Sequence, residues 1–124
     1  DCYDSDHCDI SETVIPMEQI RREHDIIMYF SNVINASYQT CARIQWHGTV
    51  AEDGPYFVNE LPTLFVSLGN PYGFVDVPMI RTIVNAYNAW PSTVKAVVDR
   101  ITGKAPFEGA SPVDPFCGMF GKDI

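Results

Sequence analysis

Apolar residues along the chain fall into two patterns, continuous runs and helical stripes. "IIMYFSNV", Ile26 to Val33, is a continuous apolar run rich in β-branched and aromatic residues, the pattern of a strand buried on both faces. Leu64–Leu68 repeats it, and Arg81–Ala86 gives a third strand. The stripes lie between and around these runs. Val94, Val97, Val98 and Ile101 fall at i, i+3, i+4 and i+7, which predicts a helix over Pro91–Thr102 that turns all four inward. Pro91 opens it where a missing N–H costs nothing, and Gly103 stops it. A second helix is predicted from a Ser11 or Thr13 cap to about Glu23, with Pro16 in its first turn and Val14, Met17 and Ile20 on one face. Tyr38–Trp46 reads as a further helix and Pro55–Leu61 as a short one, with "HGTVAEDGP" a loop between them. Residues 104–124 read as irregular, apart from a short strand at Ser111–Val113.

Apolar strands alternating with helices predict an α/β fold: a three-layer α/β/α sandwich with a mostly parallel sheet, in a flavodoxin-like arrangement. Three strands are few for such a sheet. A fourth is expected near Cys2–Tyr3 and a fifth near Pro112. The second run ends in Gly69-Asn70-Pro71-Tyr72, at the kind of strand end where ligands bind in open parallel sheets. Asn70, Pro71, Tyr72 and Asp76 are therefore the candidate interface or ligand loop. A rigid exit from the strand, with Asp76 capping the "VPMI" turn, is the competing reading.

Composition narrows the function classes. At 124 residues and 46% hydrophobic, residues 1–124 suffice for a single domain with a real core. Sixteen acidic against eight basic residues leave a net charge of −8 and no basic stripe, which argues against nucleic-acid and acidic-membrane partners. No run approaches the ~20 apolar residues of a membrane span. No secretory leader pattern opens the chain, and a cytoplasmic location is favoured over an exported one. Cys2, Cys8, Cys41 and Cys117 are expected as free thiols in so apolar a chain, with Cys2–Cys8 the pair best placed to bridge.

Motifs for autonomous chemistry are missing. Cys2, His7 and Cys8 lie among aspartates, but their spacing matches no zinc site, and "DSDHCD" lacks the glycine and distal Glu of a calcium loop. There is no GxSxG, GxGxxG, Walker A or redox CxxC motif. Neither a cofactor nor a metal is expected. Asp53, Glu60, Asp76, Asp99, Glu108 and Asp114 are available as carboxylates, yet no pair is singled out by spacing.

"PTLFVSLGNPYGFVDVPMIRTIVNAYNAWPSTVKAVVDRITGKAPFEGASPVDPFCG" resembles the C-terminal α/β-sandwich domain of glycoside hydrolase family 3, most of all its bacterial β-N-acetylglucosaminidase (β-hexosaminidase-like) branch. The likeness rests on a strand, "S-x-x-NPY", "DVP", a strand ending in "AY", a Val-rich helix, "G-K-x-x-F-x-G" and "SPVDPF" in one order. It covers at least residues 55–118 and extends more loosely back through "HDIIMYFSNVINASYQTCARIQW". The resemblance implies a catalytic (β/α)8 barrel elsewhere in the same polypeptide. That barrel holds the nucleophilic Asp and the His–Asp acid pair of this branch, and carbohydrate would be met only through it. Its "KHFPGHG" type of motif is absent from these residues, so no catalytic residue carries over. Other branches place a general acid in this second domain, which keeps Asp53, Glu60 and Asp76 open. The expected role is an accessory domain, a fragment of the whole enzyme, not catalytic by itself and prone to self-associate. The alternative is a free-standing flavodoxin-like small-ligand or protein-binding module that uses the Asn70–Asp76 loop.

Overall fold

A computed structural model of the chain describes residues 16–34, 43–44, 54–55 and 57–121. Its element order is α1 (Met17–Glu23), β1 (Ile27–Ser31), β2 (Thr63–Ser67), a 3-10 helix (Pro71–Asp76), β3 (Thr82–Asn85), α2 (Pro91–Ile101) and a 3-10 turn (Met119–Gly121). The three strands form a parallel sheet in the order β1-β2-β3. The predicted α/β class and the three strands are therefore present. Leu64 pairs with Met28 on one side and Thr82 on the other, and Ser67 with Ser31 and Asn85.

Strand residues alternate between the two faces of the sheet, and each face of β2 carries its own core. On one face Phe65 packs with Phe74, Val77, Ile80 and Phe116. The rings of Phe65 and Phe74 meet edge to face, with centroids 5.7 Å apart. On the other face Leu64 and Val66 pack against Val97 of α2, with Val84, Ala86 and Ile101 alongside. Ile44 lies between β1 and β2 in the chain, and the 3-10 helix lies between β2 and β3; both pack on the Phe65 face. Consecutive parallel strands laid down in one direction place their right-handed crossovers on one face in this way. Among the described residues, α2, which follows β3, covers the other.

Several expectations are revised. Val98 is 44% exposed, so the helical stripe narrows to buried Val97 with half-buried Val94 and Ile101. β1 is a sheet edge, and Met28 and Phe30 are 45% and 51% exposed instead of buried on both faces. Residues 57–60 form one turn, closed by Leu61 N–H donating to the Phe57 carbonyl at 3.0 Å. Ser111–Val113 is a bend, not a strand, because the Ser111 hydroxyl donates to the Val113 carbonyl at 2.7 Å and folds the chain locally. The strand near Cys2–Tyr3, the capping of the first helix at Ser11 or Thr13, nearly all of the Tyr38–Trp46 helix, and the states of Cys2, Cys8 and Cys41 lie outside the described residues. Arg43 and Ile44, which are described, are not helical, and Cys117 is an exposed free thiol.

The tail owes its order to Asp114. One carboxylate oxygen accepts from Phe116 N–H at 2.8 Å and the other from Gly118 N–H at 2.9 Å. This Asx-type turn aims the fully buried Phe116 into the Phe65 core. The "VDPF" segment is thus a loop that delivers one aromatic ring.

Candidate functional site

The turn after β2 is built by specific contacts. A Cβ on Gly69 would stand 2.3 Å from the Val33 carbonyl oxygen, so only glycine lets the two backbone segments meet. Asn70 then joins three pieces of chain. Its side-chain Nδ2 donates to the Val33 carbonyl at 3.0 Å, its Oδ1 accepts from Tyr72 N–H at 3.0 Å, and its own carbonyl accepts from the Ser67 hydroxyl at 2.7 Å. Asn70 therefore caps the 3-10 helix and ties it to the exit of β1. Pro71 is buried at the start of that helix. Tyr72 is 52% exposed. Asp76 has a side chain only 5% exposed, where it meets the Arg43 guanidinium and accepts from Ile44 N–H at 2.8 Å. Of the four residues in the candidate loop, Asn70, Pro71 and Asp76 face inward to hold the turn, and Tyr72 faces solvent.

The carboxyl ends of the strands bring a polar row together. Ser31, Ser67 and Asn85 end the three strands and pair across the sheet, so they share one face. Ser67 is satisfied by Asn70, while the Ser31 hydroxyl and both amide atoms of Asn85 are buried without a partner among the described residues. Exposed aromatic residues follow the same edge: Tyr72 after β2, then Tyr87 and Trp90 after β3. Tyr87 holds a left-handed backbone, φ 63°, which a bulky residue rarely adopts. Its hydroxyl lies 3.4 Å from that of Ser111.

A cavity of about 660 Å³ opens along the edge of β3 that has no strand partner among the described residues. Ile83, Val84 and Asn85 form its floor, one side of α2 its flank, and the extended 107–111 segment its outer wall. Its size falls in the range of about 300–1,000 Å³ usual for small-molecule sites. No sequence pattern marked it, because it arises where a chain segment returns past a strand edge.

Glu60 and Asp99 are engaged in ordinary surface pairs, and Glu108 is exposed. Glu60 lies 3.4 Å from Arg21 at the surface. Asp99 meets Lys95 at 2.5 Å and Lys104 at 4.0 Å. The hydrogen bond from Lys95 holds the Asp99 carboxyl below its ordinary value of 3.8. Asp53 lies outside the described residues. Among the described residues, no three His, Cys, Asp or Glu side chains gather as metal ligands, and no helix is long and apolar enough to cross a membrane.

A beta-N-acetylglucosaminidase/beta-glucosidase of Cellulomonas fimi is 40% identical over 105 residues, which is 85% of this chain and 19% of that protein. Among solved structures, the beta-glucoside phosphorylase BglX superposes with a TM-score of 0.78 at 38% identity, over 89% of this chain and 20% of that one. The same phosphorylase bound to 2FGlc gives 0.77 at 39% identity. No family model matches the chain. The chain spans about one fifth of the length of these relatives. In sequence and in fold alike, it is similar to a domain-sized part of the glycoside hydrolase family 3 enzymes.

Proposed function

We propose that the chain is an accessory domain of a β-N-acetylhexosaminidase-like enzyme, docking onto the catalytic barrel of the same polypeptide and not catalytic by itself. The observation that carries this reading is an uncovered apolar face. Met28 and Phe30 pair in register with Leu64 and Val66, so they lie on the α2 side of the sheet. α2 covers Leu64 and Val66 and leaves Met28 and Phe30 exposed. On α2, Val98 projects about 100° around the axis from Val97, away from the cavity side. Exposed Ile26, Met28, Phe30 and Val98 are what a doubly wound sheet shows when a covering layer is supplied from elsewhere. Relatives about five times longer supply enough chain to cover it.

The aromatic edge fits the same role. Tyr72, Tyr87 and Trp90 give the carboxyl end of the sheet amphipathic side chains suited to a partner surface or an active-site rim. Asn70, Pro71 and Asp76 set the position from which Tyr72 reaches outward.

The test is an activity comparison. The purified chain should not turn over a chromogenic N-acetyl-β-glucosaminide or β-glucoside, with or without inorganic phosphate. The full polypeptide that carries it should act on the N-acetylglucosaminide. Robust turnover by the 124-residue chain alone would overturn the accessory reading. A full polypeptide that prefers the glucoside would overturn the hexosaminidase assignment alone.

A further inference from the structure

We propose that the cavity along this edge of β3 binds a small organic carboxylate that also carries hydroxyl or amide groups. Three observations converge on it. The first is shape and wall chemistry. A half-open space of about 660 Å³ lies between β3, α2 and the 107–111 segment, with Phe74, Val84, Val97 and Phe107 as apolar walls. Such a cavity shields an apolar frame and leaves a few polar groups to orient it.

The second is charge. Among the described residues, Arg100 is the charged residue that lines the cavity. Its Nη1 donates to the Ala96 carbonyl at 3.2 Å, one turn back along α2. Its sequence neighbour Asp99 is taken by Lys95 and Lys104, and no carboxylate pairs with Arg100 among the described residues. A guanidinium presents five donors in a fixed fork, so one bond to a carbonyl leaves it able to grip a carboxylate through two others. The field of one Asp99 carboxylate is shared by Lys95, Lys104 and Arg100, so this corner of the cavity keeps an excess of positive charge, which is complementary to a carboxylate and not to an amine.

The third is a pair of hydroxyls, those of Tyr87 and Ser111, on two residues that line the cavity and are open to it. Tyr87 and Ser111, joined by their hydroxyls, stand at the mouth, where the strained Tyr87 backbone fixes the ring.

Glucuronate is a suitable probe, because it joins a carboxylate to a hydroxylated ring, and glucose is its neutral control. Titrated into the isotope-labelled chain, glucuronate should give saturable amide shifts confined to residues 83–87, 92–100 and 107–111. Arg100→Gln, with an unchanged melting temperature, should weaken that binding at least tenfold, and Arg100→Lys should restore part of it. Tyr87→Phe should weaken it to a smaller degree. Glucose binding as tightly as glucuronate, or an Arg100→Gln variant with unchanged affinity, would overturn the carboxylate assignment. Absence of saturable shifts at millimolar glucuronate would overturn the site itself.

Discussion

Gly69 and Asn70 show how much of the turn after β2 is decided by single atoms. Gly69 is required by contact, because the Val33 carbonyl oxygen occupies the space a Cβ would need. Gly69→Ala should lower stability by about 2–3 kcal/mol in urea unfolding, since a backbone neighbour cannot yield as a side chain can. Asn70→Ala should cost about 1–2 kcal/mol, because it leaves Tyr72 N–H and the Val33 carbonyl without that side chain. An Asn70→Ala protein of unchanged stability would show that the cap contributes nothing. Asp99 gives a pH-dependent term. Its carboxyl titrates below 3.8 in the folded chain because Lys95 donates to it, so the folded state binds that proton less readily than the unfolded state. The stabilisation is therefore present above about pH 4 and is lost as pH falls through the lowered folded value. Asp99→Asn should flatten this part of the melting temperature's pH profile and leave the neutral-pH packing intact.

At the scale of elements, α2 separates what periodicity predicts from what packing selects. Spacing puts Val94, Val97, Val98 and Ile101 in one stripe. A helix lying on a flat sheet buries a narrower arc, and here Val97 is 6% exposed while Val98 is 44% exposed. Val97→Asp should therefore prevent cooperative folding, since an unpaired charge in that core costs several kcal/mol. Val98→Asp should stay within about 1 kcal/mol of the parent. Circular dichroism melts of the pair check this, and equal destabilisation would mean that both positions are buried. The same limit applies to β1, whose apolar run suits a central strand while only one edge is paired among the described residues.

For the whole molecule, the main feature is the imbalance between the two faces of the sheet. Among the described residues, one is covered by Phe74, Val77, Ile80 and Phe116, and the other only over β2 and β3. The isolated chain should self-associate through the uncovered part. Met28→Lys together with Phe30→Lys should shift sedimentation toward monomer, with stability changed by less than about 1 kcal/mol because both side chains are already half exposed. Retention of the oligomer in this double variant would place the contact elsewhere, with the aromatic edge of Tyr72, Tyr87 and Trp90 the next surface to substitute.

Local pattern alone determined the class of fold, the three strands, the core position of Val97 and the stop at Gly103, because each depends on spacing within one element. The ordered motifs around "GNPY" and "SPVDPF" also carried the resemblance to family 3 enzymes, since short backbone-fixing motifs need particular residues wherever they occur. Tertiary structure decided the rest. It brought Asn70 to Val33 and Asp76 to Arg43 and Ile44, partners that are distant in sequence. It buried Phe116 from a tail that reads as irregular, and exposed Val98 and Phe30, whose spacing predicts burial. It alone created the cavity beside β3, where Arg100 and Asn85 lie fifteen residues apart in the chain but line the same space. Spacing within an element is fixed by backbone geometry, whereas a cavity or an uncovered face exists only once separate elements have met or failed to meet.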